Sequence, residues 1–575
     1  MQSARTFVLA SVAAIGIVSP SFAQNYKLRL VARTGDAAPG SIGGSFTWLG
    51  WPTINASGQV AFAAGCDGLI AETGLWRSIF DDPQHVELII GQDYPVPGSP
   101  PEVRFGEFEP SLHHPLLNDS GNVGFSASLI NLPGSADPLT GLFRMINGSI
   151  ERVAVPGDVA PGTLGTATYK TVSNLPSFNE SNSLAFNGQI GGRNVGPSND
   201  RAIFAHWLGG VQMVVREGNG VPGMPGTTFA VGHLDLPTLE DNGRLGFNAA
   251  LLGASAKAWS RWLGWPGLLD MVVAAGDPTP LGGVFTNSVP DFWCMSTSSS
   301  VAGFRQGFND ATGPHIGLWS DGPSGLKSYA AAGEPGPLGF YSEFSLGEVI
   351  VAGDGTAAFE ARFTGFGIPT TKDTALLRSS TNGPATVLVR EDDAAEGWGS
   401  GVVFDDLLLL ASSLPINDDY QIVFSARVRG AGITPANDTG LWVADADGSL
   451  HSILRKGQLL GFGGAPKQVS GWTVTTGVGV HSGRRPGLNQ RGDVAIVINF
   501  TDDTDAVVVA QRIPACAADL NGDGQIDASD LALLLGGWGV TGPVGEGGDV
   551  DWDGDTDGAD LALLLGAWGP CGSGG

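Results

Sequence analysis

The sequence predicts an all-β chain: a large β-propeller of about eight blades, followed by a small α unit built from two loop–helix motifs. Three observations lead there. Strand and turn signals recur about every sixty residues through most of the chain. The first and last strands of that repeat each lack the hairpin partner that the other copies have. In the final stretch, a near-duplicate switches the apolar spacing from period 2 to period 3.6.

The chain opens with Arg5, an apolar run from Phe7 to Val18, and Ser21-Phe22-Ala23 before Gln24. This predicts a secretory signal peptide over residues 1–23, with small residues at −3 and −1 of the cleavage point. The mature protein is therefore expected outside the cell, secreted or surface-associated. No later segment reaches the ~18 apolar residues that a transmembrane helix needs. The net charge of −27, from 57 acidic and 30 basic side chains, argues against nucleic acid or an anionic membrane as partner. Much of that excess lies in Asp-rich turns.

Residues 24–512 form the repeat. Each unit opens with a strand that ends in a Gly–acid turn, as in Leu30-Val-Ala-Arg33 before Gly35-Asp36. An Asn-x-x-Gly hairpin with alternating apolar residues follows: Asn55…Gly58…Phe62, Asn118…Gly121…Phe125, Asn179…Asn182…Phe186, Asn417…Phe424 and Asn489…Gly492…Ile496. A Gly-Leu-Trp strand or its like closes each unit, as at Gly74-Leu-Trp76 and Gly440-Leu-Trp442. Phe62 to Phe125 is 63 residues, and the next two intervals, to Phe186 and Phe247, are 61 each. A period near 60, short strands and no helical stripe describe a propeller blade. Val, Phe and Trp at period 2 supply the core, while Gly and Asn supply the positive-φ turns.

Each Gly-Leu-Trp strand runs into the next opening strand as a hairpin. Tyr26–Arg33 has no such partner before it, and Ala506–Ala510 has none after it. Pairing the two orphans closes the ring and removes two exposed edges. Eight blades are the expectation; seven blades and an extra sheet are the alternative. The repeat resembles a group of secreted bacterial proteins with an NxxGxVAFxA-type motif, a resemblance that brings no activity with it.

Residues 513–575 carry the duplicate. Asp519, Asn521, Asp523, Asp527 and Asp530 stand at positions 1, 3, 5, 9 and 12 of one loop, with Gly524 at position 6. Asp549, Asp551, Asp553, Asp557 and Asp560 repeat this around Gly554. Position 7, Gln525 or Asp555, offers its carbonyl. This is the spacing of a calcium loop, so two Ca2+ ions are expected. After each loop, Leu531, Leu534, Leu535 and Trp538, then Leu561, Leu564, Leu565 and Trp568, form one helical stripe. Asp527 and Asp557 stand as N-caps; Gly539 and Gly569-Pro570 are the expected stops. The two stripes are expected to pack on each other.

A calcium loop with one exiting helix, present twice, resembles a type I dockerin, and the Cys-bracketed GC-type in particular. The resemblance covers residues 514–572. It implies a Cys516–Cys571 disulfide, a calcium-dependent docking role with a cohesin-like or envelope partner, and company with enzymes of polysaccharide catabolism. Loop positions 10 and 11 are Ala528-Ser529 and Gly558-Ala559, unlike the Ser-Thr pairs of well-studied members.

Catalytic signals are sparse. Asp36, Asp158, Glu217, Asp277 and Glu334 recur at repeat turns, so a structural role is expected. His113-His114 is a weak metal candidate, and Trp259-Ser-Arg261-Trp262-Leu-Gly-Trp265 either stacks a sugar or is a Trp-rich core strand. Cys66 and Cys294, in different repeats, give no reason to pair. Two readings remain. One is a non-catalytic propeller that binds a polysaccharide or protein, or is purely structural, assembled through its tail. The other is a carbohydrate-active enzyme, a glycoside hydrolase or polysaccharide lyase, needing two carboxylates about 5–10 Å apart with one pKa raised.

Overall fold

A computed structural model describes residues 26–571 apart from 69–71, 80–81, 110–113, 136–137, 235–236, 289–290, 296–300, 323–324, 345–348, 381–382, 408–414, 463, 476–486, 514–515, 522, 541–547 and 551–554. The expected signal peptide, residues 1–23, lies outside the described residues. Eight antiparallel sheets of four or five strands follow one another as an eight-bladed β-propeller. Strands consecutive in sequence are neighbours in the sheet, and we letter them A to D. In blade 1, A is split into Phe46–Leu49 and Thr53–Ile54, and both pieces pair with B, Val60–Cys66; C is Thr73–Ile79 and D is Asp82–Gly91.

The ring closes as the orphan strands require. Tyr26–Arg33 pairs antiparallel with Asp505–Arg512, from Tyr26 opposite Arg512 to Arg33 opposite Ala506, with a bulge between Leu30 and Ala32. The first strand of the propeller is therefore the D strand of blade 8, whose other strands come from the far end of the repeat. Thr34 extends the seam: its N–H donates to the Asp505 carbonyl and its Oγ1 accepts from the Asp505 N–H, both at 2.9 Å.

The motif residues pack across strands. In six blades the Phe of the B strand lies opposite a Trp or Phe on C: Phe62 against Trp76, Phe125 against Phe143, Phe186 against Phe204, Phe247 against Trp262, Phe304 against Trp319 and Phe424 against Trp442; blade 6 pairs Phe359 with Leu377 and blade 8 Ile496 with Val508. Such cross-strand pairs are the unit of sheet stabilisation. Alternation then feeds both faces of a blade. Phe62 and Ala64 join a core with Ala495, Val497, Val507 and Val509 of blade 8, while Ala61, Ala63 and Leu75 join the core of blade 2.

The Asn-x-x-Gly turn joins A to B, and its asparagine works across blades as well as within one. Asn55 Oδ1 accepts from the Gln59 N–H at 2.9 Å, closing its own turn. Gly58 at φ +82° and Gly121 at φ +75° show why the fourth position is Gly: the backbone there is left-handed. The Asn Nδ2 then donates to the next blade's turn: Asn55 to the Asn118 carbonyl (3.0 Å), Asn118 to Asn179 (3.5 Å), Asn179 to Glu240 (2.8 Å), Asn417 to Asn489 (2.9 Å) and Asn489 back to Asn55 (3.0 Å).

The residue after each Asn adds a second ladder. The Ala56 N–H donates to Asp119 Oδ1 (2.8 Å), the Asp119 N–H to Glu180 Oε2 (2.9 Å), the Glu180 N–H to Asp241 Oδ1 (3.1 Å) and the Asp418 N–H to Gln490 Oε1 (2.9 Å). Blade 6 has Ala352 where the repeat has Asn. That seam is held instead by the Gly353 N–H to Asp418 Oδ1 (2.5 Å) and by the Tyr420 hydroxyl to Asp354 Oδ2 (2.8 Å). Tyr420 makes its bond from φ +60°, at the position where other turns carry Gly.

Asn489 sits on the closing seam and is 5% exposed. Asn489→Ala removes its bond to blade 1 and leaves buried backbone groups unpaired. The expected cost is about 1–3 kcal/mol, read as a lower denaturant midpoint; an unchanged midpoint would show that the ladder contributes nothing to closure.

Candidate functional site

The tail contains helices α1 (Ala528–Gly536) and α2 (Gly558–Gly566), each started as expected. Asp527 and Asp557 are the N-caps, and Asp530 and Asp560 complete capping boxes by accepting the cap residue's own N–H. The ends differ from expectation. Both helices stop at Gly536 and Gly566, so Trp538 and Trp568 lie beyond them. The stripe is also narrower than its spacing suggests. Leu534 and Leu564 are fully buried with Ala518, Ile526 and Val550, and Leu531 and Leu561 are half-buried against them. Leu535 and Leu565, one position (about 100°) round each helix from those buried leucines, are 53% and 51% exposed, as Trp538 and Trp568 are at 46% and 49%. Two nine-residue helices meet along a single row of side chains, and among the described residues the adjacent row is left about half-exposed.

Loop 1 is organised by its own oxygens. Asp530, fully buried, accepts from the Leu520 N–H (2.8 Å) and the Asn521 N–H (3.1 Å) through Oδ1 and from the Asp527 N–H (2.8 Å) through Oδ2. Position 12 thereby ties the start of the loop to the start of the helix. Asp519 accepts from the N–H groups of Asp523 (3.1 Å) and Gly524 (2.8 Å), Asn521 from Asp523 (2.9 Å), and Asp523 from Gln525 (2.9 Å). Gly524, at φ +84°, makes the turn. Hydrogen bonds from the Ser529 hydroxyl and N–H hold the Asp527 carboxyl below the usual carboxylate range.

Loop 2 repeats the closure: Asp560, fully buried, accepts from the Val550 and Asp557 N–H groups at 2.7 Å. Asp549 is buried, and Asp555, Asp557 and Asp560 bring carboxylate oxygens within 4.8 Å of one another. Asp551 and Asp553 lie outside the described residues. An all-oxygen, carboxylate-rich set fits a hard cation, whose charge would offset the mutual repulsion. Cys516, Asp519 and Cys571 also converge, but both sulfurs are committed to the Cys516–Cys571 disulfide and are no metal ligands.

In the propeller, the repeat-turn acids are structural. Asp158 and Asp277 accept from the N–H three residues earlier, of Val155 (3.1 Å) and Ala274 (2.8 Å), and Asp36, Asp158 and Asp277 pair with Arg33, Arg152 and Lys257. Glu217 stands two places before the equivalent Asn219; fully buried, it caps the C strand by accepting from the Arg201 N–H (3.3 Å). The turn at Glu334 is closed by its own N–H to the Ala331 carbonyl (3.0 Å). Trp259 and Trp262 are 1% exposed and belong to the core, while Trp265 is half-buried at the strand end, near Trp207 and with the Arg244 guanidinium 5.9 Å from its ring centre. His114 is buried and stacks on Trp51 at 5.0 Å; His113 lies outside the described residues. Cys66 is buried and not disulfide-bonded.

Three charged positions that sequence reasoning passed over break the repeat. Asp321, fully buried, is pushed up to about 6 by burial against the pull of Arg261, 3.3 Å away, and accepts from the Ala302 N–H. Glu360 is pushed up to about 7, first by burial and then by Asp406, Glu391 and Glu343, with Arg362 opposing. For Glu360 the only signal was an acid at a repeat position that carries Ala63, Ser126, Asn187, Asn248 and Arg305 in other blades. The third is Asp445, which lines a cleft of about 400 Å³ with Asp419, Asp447, Arg491 and Arg512. It accepts from Gln421 (2.8 Å), His451 (2.8 Å) and both Arg512 Nη atoms (2.7 and 2.6 Å). Burial raises its pKa, but the His451 and Arg512 bonds outweigh this and hold it below the usual range. Four donors on one carboxylate make a clamp between blades 7 and 8, with no lone pair left to act as a base.

No helix among the described residues is long and apolar enough to cross a membrane. A family model described as a family of unknown function (DUF7453) matches residues 17–292 and 301–518. No curated protein matches the sequence. Among solved structures, the chain is similar to the β-propeller domain of the Trilobed protease from Pyrococcus furiosus, at 9% identity over 72% of this chain and 99% of that one, with a TM-score of 0.33. It is also similar to prolyl oligopeptidase B from Galerina marginata (10% identity, 81% of this chain, 55% of that one, TM-score 0.34) and to puromycin hydrolase (11%, 70%, 60%, 0.29). The chain thus covers less than two thirds of either of those two proteins. Likeness at this level carries no argument about activity.

Glu360 gives a pH test. Its folded pKa, about 7, lies above the ordinary 4.5, so folding takes up a proton between those values. The contribution to stability is therefore greatest below the ordinary pKa and is lost as pH rises through the folded one. Glu360→Gln is expected to stabilise the propeller by about 1–3 kcal/mol near pH 8 and to flatten its urea midpoint between about pH 5 and 7. An equal shift at every pH would contradict the assignment.

Proposed function

This chain belongs to the DUF7453 family, and we propose that it is a secreted, non-catalytic binding or structural propeller, assembled with a partner through its calcium-dependent, dockerin-like C-terminal module. The observation that carries this reading is the duplicated tail. Two oxygen-lined loops, each tied to its helix by a buried Asp, present a duplicated row of half-exposed apolar side chains: Leu535, Trp538, Leu565 and Trp568. Apolar groups kept in solvent in matched pairs mark an interaction surface. The partner this suits is a protein with a complementary apolar face, cohesin-like or part of the cell envelope. Two Ca2+ ions supply the charge that lets the loop carboxylates crowd together. Asp519, Asn521, Asp523, the Gln525 carbonyl, Asp527 and Asp530 would hold one ion; Asp549, Asp551, Asp553, the Asp555 carbonyl, Asp557 and Asp560 would hold the other.

In the propeller, the repeat-turn and ladder carboxylates Asp36, Asp119, Asp158, Glu180, Asp241 and Asp277 are spent on backbone N–H groups and ion pairs, which supports a scaffold or ligand-presenting role, while Glu360, with its raised pKa, is the group the enzyme reading would have to use. Turnover of any member of a broad polysaccharide panel by the full chain would overturn the non-catalytic part of the proposal.

Calorimetry of the full chain tests the calcium part. The expected result is two transitions, with the tail's rising by about 2–4 kcal/mol of stability at calcium a hundred to a thousand times its Kd and a chelator removing that gain alone. A tail transition indifferent to calcium would sink the docking model.

A further inference from the structure

The two loops are related by an offset of thirty residues, which carries Asp519 to Asp549 and Leu534 to Leu564. Backbone pairing follows the same operation. Position 8 of loop 2 pairs with the segment after α1: the Gly539 N–H donates to the Thr556 carbonyl (2.8 Å) and the Thr556 N–H to the Val540 carbonyl (3.2 Å). Position 8 of loop 1, Ile526, pairs with Gly569, the segment after α2. From Val540 the chain runs on, covalently, into loop 2. From Pro570 it cannot run into loop 1, because loop 1 comes first. The disulfide supplies that missing connection. Shifted by the same offset, Cys571 falls on 541 and Cys516 on 546, the two ends of the linker that leads into loop 2. In the sequence, Cys516–Cys571 thus joins the two positions whose counterparts are joined by the chain itself in the second half.

Beyond the apolar cluster that both cysteines pack against, the disulfide's polar contacts among the described residues fall on loop 1. Cys571 Sγ lies 3.3 Å from Asp519 Oδ2, the Cys571 N–H donates to the Gly524 carbonyl (2.9 Å), and the Asp519 N–H donates to the Cys516 carbonyl (3.1 Å). The first ligand of the loop and the turn glycine at its sixth position are both held by the bridged residues. We propose that the disulfide is a positioning element for loop 1 alone, so that opening it weakens the first calcium site and spares the second, making docking competence dependent on an oxidising environment. This rests on the calcium reading of the tail. Outer contacts that orient a ligand typically govern metal affinity by about tenfold or more.

The test is calcium titration calorimetry on the full chain, oxidised and after a water-soluble phosphine. In that reaction the S–S bond breaks, each sulfur leaves as a thiol, and the phosphine is oxidised to its oxide with oxygen from water. Cys516→Ser with Cys571→Ser gives the same opening without reductant. Asp553→Ala leaves loop 1 to be read alone, and Asp523→Ala leaves loop 2. The expected result is a fall of at least about tenfold in loop 1 affinity and less than about threefold in loop 2. Hydrogen exchange at saturating calcium should lose protection over 516–527 and keep it over 549–557. Equal losses at both loops, or none, would overturn the proposal while leaving two calcium sites standing. If the oxidised chain takes up no calcium, the parent reading fails, and this proposal with it.

Discussion

The constraint on which the molecule depends is that its last sheet has to be finished by its first strand. Blade 8 is built from Lys467–Val474, Val494–Phe500 and Asp505–Arg512, and its D strand arrives from Tyr26–Arg33. Thr34 and Asp505, hydrogen-bonded to each other, are 471 residues apart. Loop-closure entropy grows only slowly with length, so the cost of bringing such ends together is affordable. What makes it cooperative is that the seam is a core: Val507 and Val509 pack with Phe62 and Trp76, while Val508 and Ala510 pack with residues of blade 7. Without the first strand, blade 8 would expose both its edge and this apolar surface.

The polar ladders give some of this acidic chain's carboxylates a structural task. In a propeller, neighbouring sheets meet face to face and share no main-chain ladder, so apolar packing alone would leave their register loose. The turn Asn and the acid after it supply direction. The Asn donates to one specific carbonyl of the next blade, and the acid accepts from one specific N–H of the blade before it, so that around much of the ring donors and acceptors run the same way. Asp119, Glu180, Asp241 and Asp418 are spent on this task. Blade 4 carries Glu240 in place of the Asn, and blade 6, with Ala352 there, regains a link through a tyrosine of blade 7 in a left-handed conformation, so the seam matters more than the particular residue.

Much of this was legible in the sequence. The spacing from Phe62 to Phe247 gave the blade, and the two unpaired end strands gave the closure. The Asp-x-Asp spacing and the N-cap aspartates gave the loops and the helix starts. The helix ends were misread because a stripe of apolar residues records what is apolar, not what is covered. Leu535 and Trp538 extend the stripe, yet two helices this short touch along one row. The cross-blade role of Asn55 was hidden for another reason. The motif shows that the residue recurs, but the acceptor, the Asn118 carbonyl, is a backbone atom and leaves no mark on the sequence. Glu360 and Asp321 stand out only once the repeat is aligned and a neighbouring seam is known to bury them.

The two parts of the chain put carboxylates to opposite uses. In the propeller, an acid is neutralised where it stands, by N–H groups, by Arg or Lys, or, as burial favours for Glu360, by keeping its proton. In the tail, Asp530 and Asp560 are satisfied in the same way by backbone donors. Around them, however, Asp523, Asp527, Asp555 and Asp557 converge on short loops with no basic side chain in the first or last turn of either helix. Ordering such loops requires either a cation or a covalent constraint, because hydrogen bonds to N–H groups do not cancel several neighbouring charges. The bridge at Cys516 and Cys571 supplies the covalent constraint beside loop 1, and an ion would supply the rest. The ladder acids of the propeller and Asp445 are met by donors of the propeller itself, whereas the tail gathers Asp555, Asp557 and Asp560 within 4.8 Å of one another, an arrangement that a bound cation would relieve.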